Sequence, residues 1–172
     1  MFQKHKILLL AIFFFGMSWG EKVQGQVSSY EELQAAYIYN FAKYVIWPAP
    51  TETFVVGVYG DLEIMEFLEK AFSGKKIAGR TVELKAIKTK MEALMCNIIY
   101  VPESSSRSMR QISLDTQGNN ILIVTEDDLT RRGAAISFVV DNDHLRFILN
   151  RSALAAAGLS ATEGLIKLAI LQ

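Results

Sequence analysis

Apolar residues recur at helical spacing after residue 28, and aromatic side chains cover most of the helix circumference there. The recurring positions are Leu33, Tyr37, Phe41 and Tyr44. A capping box over residues 29–32 is predicted to open this helix, and Pro48 and Pro50 are predicted to end it. Surface helices are apolar along one stripe only, so this helix is expected to be buried on several sides or to meet a partner.

Beyond this helix, short apolar strands alternate with helical segments. The pattern predicts strands over residues 54–59, 82–87, 97–101 and 121–124, and helices over residues 62–72, 91–95, 106–114, 153–157 and 160–171. Residues 134–140 and 145–149 flank a polar segment and are predicted to form a hairpin. This alternation predicts an α/β fold, a three-layer α/β/α sandwich with a mostly parallel sheet and an antiparallel edge hairpin.

The first residues have the pattern of a secretory signal. Lys4 and Lys6 precede an uncharged apolar run over residues 7–17, about half of the ~20 residues needed to span a bilayer. Cleavage is predicted after Gly25, with Gly20 as the alternative, and an uncleaved signal anchor is a second interpretation. We therefore expect a signal peptide over residues 1–25 and one secreted domain over residues 26–172.

Charge and cysteine content exclude several classes of protein. Residues 1–25 hold three Lys and one Glu, so the remaining chain has a formal charge of about −2. That charge argues against binding to nucleic acid or to an anionic membrane surface. Cys96 is the only cysteine, so an internal disulfide is excluded. A buried, inert thiol is favoured over an intermolecular bridge, because free cysteines are usually buried.

Residue types that support catalysis are scarce. His144, the one histidine after residue 25, is predicted in a hairpin loop with no nucleophile beside it. Clustered metal ligands are missing too, so we expect no enzyme activity, no metal and no cofactor. Residues 57–61 join a strand to a helix, where α/β folds bind ligands. A tight turn with Asp61 as helix cap is the favoured interpretation, because Asp61 would repel a phosphate.

Asn40 and Trp47 stand seven positions apart, so they would share one side of the first helix. An Asn on an apolar helix destabilises it unless the amide is hydrogen-bonded. A structural bond to a neighbouring loop is the favoured interpretation. A polar group beside an indole in a binding groove is the alternative.

Four stretches of the chain together resemble one known family. They are Ala36–Pro48 with its Tyr-Asn-Phe and Trp-Pro motifs, Val58–Asp61, Arg131–Phe138, and Leu145–Asn150 running on to Leu159. In this order they resemble the YfiR family of small periplasmic proteins. The resemblance covers nearly the whole chain after the signal, and the first stretch is its most specific part.

The resemblance implies a regulator without a reaction of its own. Studied members repress a diguanylate cyclase by binding its periplasmic sensor domain, which lowers cyclic-di-GMP and biofilm formation, and an outer-membrane lipoprotein can sequester the repressor. A homodimer is also implied. The contact residues expected for the partner are Asn40, Phe41, Tyr44, Trp47, Arg146, Phe147 and Asn150.

Two points qualify the resemblance. The studied repressor has two disulfides, whereas here Cys96 matches one of those cysteines and Val58 or a neighbour stands where its partner is expected, so redox sensing does not carry over. Other membrane sensors could replace the cyclase. The alternative function is a periplasmic small-molecule-binding module for another sensor or a transporter, with a pocket near residues 57–61 and Arg80 or Arg131. A hydrolase is the third hypothesis.

Overall fold

The computed structural model describes residues 29–48 and 51–172, so the predicted signal peptide lies outside the described residues. The helices are α1 (Tyr30–Tyr44), α2 (Met65–Phe72), α3 (Lys90–Ala93), α4 (Met109–Thr116), α5 (Arg151–Ala156) and α6 (Glu163–Leu168). The strands are β1 (Val45–Ile46), β2 (Thr53–Tyr59), β3 (Lys76–Ile77), β4 (Arg80–Ile87), β5 (Ile98–Val101), β6 (Leu122–Thr125), β7 (Ile136–Asp141), β8 (His144–Leu149), β9 (Ser160–Ala161) and β10 (Ile170–Leu171). Two short 3-10 helices cover Glu103–Ser108 and Thr130–Arg132.

Eight of the strands form one mixed sheet in the order β10-β8-β7-β6-β5-β2-β4-β3. Strands β4, β2, β5, β6 and β7 are parallel neighbours, and β7 and β8 form the predicted antiparallel hairpin. The parallel strands are joined through helices, which is the connection that parallel pairing requires. The predicted fold class, a three-layer α/β/α sandwich with a mostly parallel sheet and an antiparallel hairpin, is confirmed.

Side chains of each central strand alternate between two separate cores. On one face, Phe54, Val56 and Val58 of β2 pack with α1, α2, α5 and α6. On the other face, Val55 of β2 packs with Cys96 and the side chains of α4. Because successive residues of a strand point to opposite faces, a sheet covered on both sides needs nearly continuous apolar strands.

The ends of α1 and α6 differ from the sequence prediction for one shared reason. Helix α1 stops at Tyr44, before the two prolines, because the next two residues form β1 and pair with β9. This pairing holds residues 160 and 161 extended, so Thr162 rather than Ser160 caps α6. Helix α6 then ends at Leu168, and residues 170 and 171 form β10 beside β8. The predicted hairpin therefore lies one strand inside the sheet edge.

Helix α2 begins three residues later than its sequence pattern predicts. Asp61 does not cap it, because its Oδ1 accepts a hydrogen bond from the Glu63 amide at 3.2 Å and closes a local turn. Gly60 takes a positive φ of 80° just before this turn. Among the described helices, none has the length and apolar composition needed to cross a bilayer.

Candidate functional site

The aromatic residues of α1 divide into a buried set and an exposed set. Phe41 is completely buried, and its ring lies 4.9 Å from the Phe147 ring and 5.9 Å from the Phe138 ring. Tyr37 stacks on Phe41 at 5.9 Å, and its hydroxyl donates to the Leu145 carbonyl oxygen at 3.3 Å. Phe41 and Phe147, both expected as partner contacts, are therefore core side chains with almost no surface to offer a partner.

The end of α1 forms a groove with an aromatic wall. Trp47 is half-buried after the helix, where its Nε1 donates to the Ala42 carbonyl at 3.1 Å and its ring meets the Phe54 ring edge-on at 5.1 Å. Beside it is a cavity of about 420 Å³. Lys43, Lys76 and Arg80 line this cavity, so its charged side chains are all basic.

Two large apolar residues of the same segment, Tyr44 and Ile46, are exposed without lining this groove. Tyr44 is 43% exposed and Ile46 is 51% exposed, although both are large. Asn40 is half-buried one turn earlier on α1. Trp47 follows the helix instead of lying on it, so it does not share a helix side with Asn40 as the sequence spacing predicted. We call Tyr44, Ile46 and Trp47, the large apolar residues with exposed surface at the end of α1, the α1-end patch.

The remaining expected contact residues lie elsewhere. Arg146 is exposed on β8 and pairs with Asp141 at 3.0 Å across the hairpin. Asn150 caps α5, since its Oδ1 accepts from the Ala153 amide at 2.9 Å. Four strand steps separate β8 from β2, or roughly 19 Å at the usual strand spacing. The structure therefore does not bring Arg146 to Trp47.

Cys96 lies in the core opposite Gly57. A Cβ added at Gly57 would come within 2.6 Å of the Cys96 Sγ, whereas Val58 faces the opposite core. Burial raises the pKa of the Cys96 thiol to about 12. A thiol held protonated is a poor nucleophile, because the thiolate is the reactive form.

A second cavity, of about 210 Å³, lies where β2 and β5 end. Gln34 and Tyr100 form part of its buried floor, and carboxylates from several loops surround it. The sequence pattern indicated Asp61 at this place but not Gln34. Gln34 is four positions before Ile38 and seven before Phe41, which are both buried, so helical spacing alone could have identified it as a buried polar residue.

Among the described residues that line either cavity, the one hydroxyl–carboxylate contact joins Ser104 Oγ to Asp61 Oδ2 at 3.5 Å, and no histidine lines either cavity. His144 is exposed at the hairpin end of β8. Across residues 29–48 and 51–172, no three His, Cys, Asp or Glu side chains come close enough to hold a metal ion. Arg131 lines neither cavity, and Arg80 lines only the one beside Trp47.

The fold and these surfaces define a class, an α/β domain with exposed apolar and charged surfaces suited to binding. A family model described as YfiR/HmsC-like matches residues 31–170. The chain belongs to this family, as its motifs had indicated. YfiR-like domains are regulatory and periplasmic.

Two solved structures resemble the fold. One is the ABC domain in complex with L-Trp from Streptococcus pneumoniae, with 16% identity, a TM-score of 0.55 and 80% of this chain covered. The other is a conserved domain protein from Vibrio cholerae O1 biovar El Tor, with 13% identity, a TM-score of 0.56 and 83% covered. The chain spans 59% and 60% of their lengths. At these identities the likeness concerns the fold alone. No curated protein matches the chain.

Proposed function

We propose that this protein is a periplasmic regulator that docks on the extracytoplasmic domain of an inner-membrane signalling protein and represses a diguanylate cyclase. The observation that carries the proposal is membership of the YfiR/HmsC-like family over residues 31–170. Export by the predicted signal peptide, cleaved near Gly25, places the domain on the same side of the membrane as such a sensor.

The α1-end patch is the docking surface that we favour. Large exposed apolar residues beside a groove are typical of interface centres, where a few aromatic side chains contribute most of the binding free energy. The exposed Lys43 and Lys76 give the adjoining groove a positive rim, with Arg80 buried below them, and this charge would select an acidic partner surface. Arg146 remains a second, separate candidate contact on the hairpin.

Phe41, Phe147 and Asn150 support docking indirectly under this proposal. The two phenylalanines fix α1 against β8, and Asn150 holds the start of α5. A homodimer and an outer-membrane lipoprotein that sequesters the regulator complete the proposal, on the strength of the family resemblance. Both partners would compete for exposed surface, since the core aromatics are unavailable.

The first test is the level of cyclic-di-GMP in the bacterium that encodes the chain. Deletion should raise the level, and the full-length protein should restore it, whereas a version without residues 1–25 should not. An unchanged level after deletion would contradict repression of a cyclase.

Surface variants then locate the docking site. Tyr44→Ser with Ile46→Ser should abolish repression while the protein still accumulates in the periplasm. Met91→Ser with Leu114→Ser is the matched control, because these residues are 79% and 62% exposed and belong to α3 and α4 on the other side of the sheet. Trp47→Ala is a poorer probe, since Trp47 also packs on Phe54. Equal repression by the two double variants would exclude the α1-end patch as the docking surface.

The alternative function is a small-molecule-binding module that informs another sensor or a transporter. The cavity at the ends of β2 and β5 favours it. Purified protein whose melting temperature rises with a small ligand would support this function, because a ligand that binds only the native state stabilises it.

A further inference from the structure

The side-chain amide of Gln34 lies on the floor of the cavity at the ends of β2 and β5, and its hydrogen-bonding capacity is only partly satisfied. Its side chain is completely buried, and its Oε1 accepts from the Tyr100 hydroxyl at 3.0 Å. Its Nε2 makes no hydrogen bond of normal geometry with a described residue, although the Tyr30 hydroxyl lies close enough to the Gln34 side chain to interact with it. A buried donor without an acceptor destabilises the folded state. A bound molecule that supplies an acceptor to Gln34 Nε2 would remove this cost.

The walls of the same cavity are negatively charged. Five carboxylates line it, from Glu31, Asp61, Glu63, Glu103 and Glu126. No Lys, Arg or His is among the described residues that line it, and none of the five is in an ion pair with a described residue. Glu126 and Asp61 each accept one backbone N–H, from Glu103 at 2.7 Å and from Glu63 at 3.2 Å, and Asp61 also accepts from the Ser104 hydroxyl at 3.5 Å. These contacts leave the negative charge uncompensated.

The neighbouring tyrosines indicate how this environment acts on a charged group. Burial raises the pKa of Tyr30, and the charge of Glu126 raises it further, while a weaker interaction with Gln34 opposes the rise. Burial and then Glu126 also raise the pKa of Tyr100. Burial disfavours a charge of either sign, whereas the Glu126 contribution specifically disfavours a further negative charge, so the cavity suits a cation better than an anion.

The position of the cavity is one that α/β folds use for ligands. Strand β2 is followed along the chain by β4 on one side and by β5 on the other, so the strand order reverses between β2 and β5. Crevices at the carboxyl ends of such a strand pair are ligand sites. The volume of about 210 Å³ is below the roughly 300–1,000 Å³ of typical ligand pockets, which limits the ligand to a small molecule.

A metal ion does not fit this arrangement. Within the described residues, no three carboxylates converge closely enough to hold one. The negative charge instead surrounds a cavity that has a single unpartnered donor at its floor. A molecule that matches both features must carry a hydrogen-bond acceptor at one end and a positive charge at the other.

We infer that this cavity binds a small organic cation, with a hydroxyl or carbonyl oxygen accepting from Gln34 Nε2 and an ammonium or guanidinium group among the rim carboxylates. The site is distinct from the α1-end patch, since it lies at the opposite end of α1. The inference therefore stands whether or not the protein represses a cyclase, and a binding experiment on the purified protein tests it separately.

Matched probes separate the two requirements of the site. 4-Aminobutan-1-ol has both the acceptor and the charge, pentan-1-amine replaces its hydroxyl by a methyl group, and pentan-1-ol lacks the charge. In isothermal titration at low ionic strength, the amino alcohol should bind with 1:1 stoichiometry. The amine should bind about threefold to tenfold more weakly, the usual effect of one hydrogen bond, and the alcohol should not bind. Equal affinities of the three, or no saturable binding of any, would overturn the inference.

Charge variants locate the binding. Glu63→Gln with Glu103→Gln should raise the Kd of the amino alcohol about tenfold, since each exposed charge contributes modestly. Glu69→Gln with Glu163→Gln is the matched control, because it changes the net charge equally at exposed positions outside the cavity. An equal rise in Kd in both double variants would indicate that the amino alcohol is attracted by net charge alone, which would contradict binding in this cavity. The side-chain NH₂ resonances of Gln34, assigned by their absence in Gln34→Glu, should also shift on saturation, and their constancy would exclude the floor contact.

Discussion

Gly57 and Cys96 offer a quantitative test of packing between β2 and the core that contains Cys96. An added Cβ at Gly57 would lie 2.6 Å from Cys96 Sγ and 3.0 Å from the Ile87 Cδ1 atom. Distances under 3.0 Å force a shift of neighbouring atoms, and overpacking of a core costs about 1–3 kcal/mol. Alanine also restricts the unfolded chain, which returns about 0.4–1 kcal/mol. Gly57→Ala should therefore lower the free energy of unfolding by about 1–2 kcal/mol.

The double variant isolates the contact with the sulfur. Cys96→Ala alone should cost about 1 kcal/mol, because one buried atom is lost and a small cavity remains. In Gly57→Ala with Cys96→Ala, the sulfur that clashes with the new methyl group is gone. The double variant should therefore match Cys96→Ala in free energy of unfolding to within about 0.5 kcal/mol. Gly57→Ala would then cost about 1–2 kcal/mol less in the Cys96→Ala background than in the native one, and this difference is the coupling energy.

Urea unfolding of the four proteins measures this coupling, provided that the slope of free energy against urea concentration stays constant. Gly164→Ala supplies the control, because Gly164 is in α6 and an added Cβ there meets no atom within 4 Å. Gly164→Ala should raise the free energy of unfolding by about 0.5–1 kcal/mol, and its effect should be the same with and without Cys96→Ala. Additive effects of Gly57→Ala and Cys96→Ala would refute the steric reasoning.

Two further predictions concern stability. Asn150→Ala removes the α5 cap and the hydrogen bond from Asn150 Nδ2 to the Thr130 carbonyl, so it should lower the free energy of unfolding by about 1–2 kcal/mol. Urea unfolding measures this loss, and a loss under about 0.3 kcal/mol would contradict the capping role. The raised pKa of Cys96, about 12 against an ordinary 9.0, means that only the unfolded chain loses the thiol proton between pH 9 and 12. Stability should therefore fall with rising pH in this window, by about 2 kcal/mol at pH 10.5 relative to Cys96→Ala, and parallel pH profiles of the two proteins would contradict this.

The alternation of strands and helices was enough to predict the layers of the fold. Each central strand has at least four residues and is almost continuously apolar, so its sequence pattern could be recognised without the tertiary structure. The two-residue strands β1, β3, β9 and β10 are too short to have a period, and only pairing with distant residues defines them. They also set the ends of α1 and α6, which explains why those helix ends were predicted wrongly.

The candidate site was less predictable for a related reason. Helical spacing identified the aromatic positions of α1, yet it could not tell which of them the hairpin would cover. Phe41 is buried because β8 crosses beneath it, whereas Tyr44 is exposed because the helix ends there. The acidic cavity draws on α1 and on the loops after β2, β5 and β6, so its charge appears only once the fold brings these segments together.

The short outer strands have a consequence for self-association. Strands β3 and β10 are two residues long and pair with only part of β4 and β8. Beyond β3, the uncovered part of β4 carries Glu83 and Lys85, which form an ion pair at 3.0 Å. Short outer strands and edge charges both hinder the addition of further strands from other molecules. These features disfavour edge-to-edge pairing between copies of this sheet, so a homodimer is expected to form through side-chain surfaces instead.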